Sequence, residues 1–286
     1  MPKELIKIKE FNFDNLNVST LMEQHKNQFT KSEQKLHGYV VNNFEKIIYQ
    51  SLTEIANACE VGEATALRFC RKLGYKGYQE FKLSIAREMS YHEKTNNDET
   101  YIEKVKNSTV KTIENTYQLV QSQSLQEAID NIFYAQSVVV YGVSSSGIAG
   151  LDMQNRLMRI GLNIEAIIDP HNQMIRSNSV TEKTVVVAIS LTGSTKDVVD
   201  AIQTSKKNGA TIISITNYTE SPLTEFSDIV LLTSAKENPL DSGSLTSKIS
   251  QLYVIDLLCT GIFMKDYKHF EQTKRKVAET ISDKLY

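Results

Sequence analysis

The chain has 286 residues, 41% of them hydrophobic and 23% charged, a length that suits two domains and a composition that excludes wholesale disorder or a fibrous repeat. No apolar run reaches the ~18 residues of a spanning helix, Met1 to Lys7 carries no signal-peptide core, and Cys59, Cys70 and Cys259 lack metal-ligand spacing. The expectation is a cytoplasmic protein without a metal site or cofactor. Its net charge of −2 is unevenly spread: through Lys94 the balance is +2, and beyond it −4. Arg68, Arg71, Lys72, Lys76, Lys82 and Arg87 crowd the stretch from Thr65 to Arg87 against the single acid Glu80.

Residues 1–16 have no convincing period and read as an extension. Residues 17–93 read as a helical domain, with apolar residues every three or four positions from Leu21 through Leu36, Val40, Ile55 and Leu67 to Cys70. Thr30 and Glu33 have capping-box spacing, and Gly74 and Gly77 close the basic helix. Residues 94–126 read as a polar linker and a leading helix through Val105, Ile113 and Tyr117. Over 127–270 the period changes: Val138–Tyr141, Val185–Ile189, Ile212–Ile215 and Ile229–Leu232 are β-branched runs, with Asn163–Ile167 as one more strand. Helical stretches Ile148–Ile160 and Lys196–Lys207 alternate with them, the pattern of an α/β doubly wound parallel sheet. A helix over Thr246–Met264 follows, and 271–286 is a charged tail that could form another helix.

Two helices joined by Glu60-Val61-Gly62 have helix-turn-helix form. Ala56 is small where the helices cross, and Val61 can plug the gap between them. The second helix, starting at Glu63, would present Glu63, Thr65, Arg68, Arg71 and Lys72 outward and pack Leu67, Cys70 and Leu73 inward. In the DNA-binding form of the motif the start of this helix reads base edges, while cations such as Lys76 and Lys82 hold phosphates. From Leu52 to Ala58, through Arg68-Phe69-Cys70-Arg71-Lys72-Leu73-Gly74-Tyr75, to Glu80-Phe81-Lys82, the segment resembles the N-terminal domain of RpiR-type bacterial transcriptional regulators. Gly62 departs from that family's usual serine, and Ala66 is smaller than its usual branched residue.

Two strand-to-helix junctions share one chemistry. Tyr141-Gly142-Val143-Ser144-Ser145-Ser146-Gly147 follows the first strand, and Ser190-Leu191-Thr192-Gly193-Ser194-Thr195 follows Val185–Ile189. Hydroxyls and a glycine where a parallel strand opens into a helix make an anion site from backbone N–H groups and the helix dipole. Together the loops resemble the SIS (sugar isomerase) phosphosugar-binding domain. That resemblance implies that Ser146, Ser190, Thr192 and Thr195 hold a phosphate, helped by backbone near Gly193, with Ser144 and Ser145 as weaker candidates. Ser144 stands where the family's loop has a middle glycine.

A dinucleotide fold is excluded because no G-x-G-x-x-G follows a strand, and no Walker lysine exists. The helix-turn-helix plus SIS arrangement implies a regulator whose affinity for double-stranded operator DNA follows a phosphosugar effector, acting as a homodimer or larger homo-oligomer. The alternative is a sugar-phosphate isomerase or lyase with an accessory helical domain. Related isomerases carry a key Glu near the start of the helix after the last strand, and Asp241–Leu252 has none, so no catalytic residue is expected. His171 lies in Asp169-Pro170-His171-Asn172-Gln173, which resembles the family's ordinary D-x-H-x-Q loop, and so reads as structural or ligand-contacting.

Overall fold

The computed structural model describes residues 17–92, 100–235 and 245–282; the N-terminal extension, Asn96-Asn97 and the residues just before Leu245 lie outside them. The chain divides into two compact units, Met1–Asn96 and Asn97–Tyr286, here called head and body.

The head is helical: α1 (Val18–His25), α2 (Lys31–Asn42), α3 (Phe44–Ile47), α4 (Leu52–Ala58), α5 (Glu63–Lys72) and α6 (Tyr78–His92). Thr30 and Glu33 cap α2 reciprocally, and Ser51 and Glu54 do the same for α4, so orphan N–H groups at both starts are satisfied by the helices' own side chains. Phe69 of α5 centres the core, 5.1 Å from the Phe29 ring and edge-on to Phe81 at 6.0 Å. Leu36, Ile47, Leu73 and Ile85 fill the space around it. The turn between α4 and α5 is a Schellman closure: Val61 N–H reaches Ala56 O and Glu60 N–H reaches Asn57 O, both at 2.9 Å. Glu60 carries the left-handed φ of +54° that this closure requires.

In the body, α7 (Tyr101–Leu119) and α8 (Ser122–Tyr134) lead into five strands alternating with helices. These are β1 (Ser137–Tyr141), α9 (Ser144–Met158), β2 (Ile164–Ile167), α10 (Pro170–Ser177), β3 (Thr184–Ile189), α11 (Lys196–Lys207), β4 (Thr211–Thr216) and β5 (Ile229–Leu232). Two helices close the chain, α12 (Leu245–Lys265) and α13 (Tyr267–Ser282). The sheet runs β2-β1-β3-β4-β5 and every pairing is parallel. Strand alternation splits the core into two layers. Val138, Val140, Val185, Val187 and Ile213 face Met153, Leu157, Ile255 and Leu258, while Val139, Val186, Ala188 and Ile212 face Val198, Ile202 and Leu223.

Three expectations change. The boundary drawn at 126/127 falls inside α8, because Ser122–Tyr134 is one amphipathic helix burying Ala128, Ile129 and Ile132. The Asp169–Gln173 loop is the start of α10, with Asp169 accepting from Asn172 N–H at 2.8 Å and Pro170 in the first turn. The helix open to the charged tail is present through Ser282, but it already begins at Tyr267, before the boundary drawn at 271, and is anchored by buried Phe270.

Candidate functional site

In the head, α5 begins at Glu63 with Gly62 as an N-cap that offers no side chain. Buried Ala66, Phe69 and Cys70 fix which face looks out. Arg68 and Arg71 are exposed, one turn apart on one face. Arg68 Nη2 donates to Thr65 Oγ1 at 3.1 Å, and the Glu63 carboxylate accepts from the Thr53 hydroxyl. Lys76 is exposed just beyond the end of α5.

Two cations of the same run point elsewhere. Lys72 does not project outward: its ammonium lies 2.8 Å from Glu33 Oε2 and donates to Gln28 O at 2.7 Å, over the Phe29 ring. Burial opposes the Glu33 charge, but the bonds from Lys72 and Thr30 outweigh it and hold the carboxyl below its ordinary range. Lys82, expected as a phosphate contact, is 4% exposed. Its ammonium donates to Gln50 O at 2.9 Å above the Tyr78 ring, and burial pulls its pKa to about 8, with Glu54 opposing. Tyr78 donates to Ile47 O and Gln50 O at 3.1 and 2.9 Å, so Tyr78 and Lys82 together close the carbonyl end of α3. A lysine in a basic run reads as solvated from composition alone; the i, i+4 pairing of Tyr78 and Lys82 on the buried face of α6 is the signal that would have placed it inside.

In the body, β1 and β3 are neighbours, with Tyr141 opposite Ala188. The strand order reverses between them, so the two Ser/Thr loops leave adjacent strand ends at the switch point where open α/β sheets bind ligands. The first loop is tight. A Cβ on Gly142 would sit 2.9 Å from Ser146 backbone atoms, and one on Gly147 would meet Ile168 Cγ2 at 2.9 Å. Ser144 opens α9 with φ +51°, the left-handed conformation a glycine would take without strain. Ser144 is exposed, while Ser145 and Ser146 are half-buried.

The second loop turns on Gly193, at φ +60°. A Cβ there would lie 2.1 Å from Ser221 Oγ, so no other residue fits. Ser190 Oγ and Thr195 Oγ1 are 3.2 Å apart, and Thr192 Oγ1 accepts from Ser194 N–H at 3.3 Å. Thr195 stands at the N-cap of α11 and Val143 at that of α9, and neither side chain caps its helix. Both helix starts therefore keep donors and the positive end of the dipole turned toward the loops.

Two glutamines to which the sequence assigned no role of their own meet the first loop. Gln173 of α10, fully buried, donates through Nε2 to Gly142 O at 3.0 Å and to Ile167 O at 2.7 Å. Gln251 of α12, 2% exposed, donates through Nε2 to Ser146 Oγ at 3.0 Å. Sequence distance hid their contacts with the first loop, since 31 and 105 residues separate them from Gly142 and Ser146. His171 is exposed near the start of α10. Among the described residues no cluster of three His, Cys, Asp or Glu side chains could hold a metal, and no helix is long and apolar enough to cross a membrane.

Two family models match the chain: the helix-turn-helix domain of the rpiR family over residues 16–92, and the SIS domain over residues 131–261. An uncharacterized HTH-type transcriptional regulator of Clostridium perfringens is 34% identical, over 91% of this chain and 97% of its own length. The HTH-type transcriptional regulator HexR of Pseudomonas aeruginosa is 25% identical, over 94% of this chain and 97% of its own. Among solved structures, the Vibrio vulnificus NanR protein complexed with ManNAc-6P is similar with a TM-score of 0.87 at 26% identity, covering 94% of this chain and 99% of that one.

Proposed function

Since the chain belongs to the RpiR family of helix-turn-helix transcriptional regulators carrying an SIS domain, we propose that it senses a phosphorylated sugar at the β1/β3 loops and thereby changes its affinity for operator DNA. The observation that carries this reading is the second loop. Ser190 and Thr195 hydroxyls lie side by side over the uncapped start of α11, and Gly193 is held where any side chain would clash. A phosphate there would take hydroxyl and backbone donors without a fixed positive charge. Ser146 and Thr192 complete the donor set, with Ser145 beside them and Ser144 at the rim. NanR's complex with ManNAc-6P makes amino-sugar phosphates the first class to try.

On the DNA side, the supporting observation is the exposed pair Arg68 and Arg71, with Thr65 and Lys76 alongside. Arg68 is the base-reading candidate and Lys76 a phosphate contact. One helix-turn-helix contacts few bases, so the working unit is a homodimer or larger assembly on inverted half-sites about one helical turn apart or a multiple of it. What supports a sensor over an isomerase is the group that α12 brings to Ser146. It is the amide of Gln251, which at neutral pH neither takes nor gives a proton.

A thermal-shift screen of phosphosugars, beginning with ManNAc-6P and repeated with operator DNA, tests the reading. The expected result is a specific ligand that stabilises the protein without being turned over; product formation would favour the enzyme. Arg68→Ala should cost roughly 1–3 kcal/mol of operator binding and relax one base position. Unchanged operator binding in Arg68→Ala/Arg71→Ala would remove α5 from the DNA surface.

A further inference from the structure

The first third of α12 has an unusual buried face. From Val254 onward the residues it buries are Val254, Ile255, Leu258, Cys259 and Ile262, but before them it buries Ser247, Ser250 and Gln251. Burying such groups costs free energy unless each finds a partner. Ser250 turns back onto its own helix, its hydroxyl donating to Ser247 O at 2.8 Å. Gln251 instead reaches across to the Ser146 hydroxyl, in the first turn of α9.

A serine hydroxyl has one proton to donate and two lone pairs to accept with. Because Gln251 Nε2 occupies one lone pair, the Ser146 proton is not used toward α12. It is left for whatever sits at the mouth of the first loop, where α9 has no side-chain cap. An anion there accepts hydrogen bonds only, so a serine whose proton is aimed at it needs no reorientation on binding.

We propose that Gln251 is a positioning residue for the anion site: its amide sets the hydrogen-bond polarity of Ser146, so that the Ser146 hydroxyl donates to the phosphate. This rests on the phosphosugar reading of the loops given above. Gln251 does not touch the ligand and acts only through Ser146. Gln173 braces the same loop from the other side through the Gly142 carbonyl, so the loop backbone stays in place when Gln251 is changed. Gln251 thus controls the hydroxyl and leaves the loop's shape to Gln173.

A double-mutant cycle on the full-length protein tests this, with ManNAc-6P and inorganic phosphate as probes and dissociation constants as the readout. Ser146→Ala should weaken probe binding roughly 10- to 100-fold, the loss of one donor to a charged group. Gln251→Met, similar in volume and uncharged, should weaken it roughly three- to tenfold in the wild type and not at all in the Ser146→Ala background. Gln251→Glu can only accept at neutral pH, takes the Ser146 proton for itself, and should lose at least as much as Ser146→Ala. It also serves if Gln251→Met does not fold. Equal losses for Gln251→Met with and without Ser146, or wild-type affinity in Gln251→Glu, would overturn the role of Gln251 while leaving the site intact. Failure of both probes to bind the wild type, or wild-type binding by Ser146→Ala, would instead bring down the reading of the first loop and this proposal with it.

Discussion

Helices α2 and α4 of the head and α9 and α11 of the body carry hydroxyls at or near their starts and use them in opposite ways. In the head, Thr30 and Ser51 accept from the third helical N–H of α2 and α4, and Glu33 and Glu54 return the bond. Each hydroxyl is consumed by its own helix. In the body, Val143 and Thr195 leave the starts of α9 and α11 uncapped, while Ser190 faces Thr195 and Ser146 faces Gln251. A Ser/Thr cluster before a helix is thus a stability device when it closes on the third N–H, and a candidate anion site when it does not. In sequence, the two differ by the Glu three residues after the cap, which α2 and α4 have and α9 and α11 lack.

The contrast breaks most severely at Gly193. Gly193→Ala combines a left-handed φ with a Cβ inside the Ser221 side chain, and should destabilise the protein by roughly 2–4 kcal/mol. A denaturant melt checks this, and Ser221→Gly in the same chain should restore part of the loss. A melt within ~0.5 kcal/mol of wild type would mean the loop is not held as described.

Ser51→Ala against Ser190→Ala sharpens the comparison. The first deletes a cap and should cost about 1 kcal/mol of stability with no effect on ligand binding. The second should leave the unliganded melt nearly unchanged and weaken phosphosugar binding by roughly 1.5–3 kcal/mol. Swapped outcomes would make Ser190 a structural residue.

The smallest test concerns Lys82, a cation turned inward where Arg68 is turned outward. Folded Lys82 gives up its proton near pH 8, below the ordinary 10.5, because burial disfavours the charge. Between those values the unfolded chain holds more protons, so this residue contributes rising stability as pH rises. Wild-type stability minus that of Lys82→Met should therefore climb across that window, and a flat difference would put the ammonium in water.

Much of this was legible in the residues. The switch from 3–4 spacing to β-branched runs after Ser137 located the sheet, and Lys196–Lys207 was placed to the residue. Both Ser/Thr loops fell at strand ends because that chemistry is local. What escaped is set by long-range packing. Lys72 and Lys82 looked solvated because their partners, Glu33 and Gln50, lie 39 and 32 residues away. Gln251 looked like one more polar position in α12 until the fold laid it against Ser146.

The central claim is that one phosphate site in the body controls one DNA surface in the head, and operator affinity measured with and without phosphosugar tests it most directly. Coupling requires that the ligand favour one arrangement of the protein, and typical values of about 1–3 kcal/mol correspond to ~5–150-fold in affinity. The wild type should shift operator affinity within that range. Ser190→Ala/Thr195→Ala should bind operator as the wild type does without ligand, and stop shifting. A double mutant that still responds at wild-type ligand concentrations would contradict the account and place the effector site elsewhere.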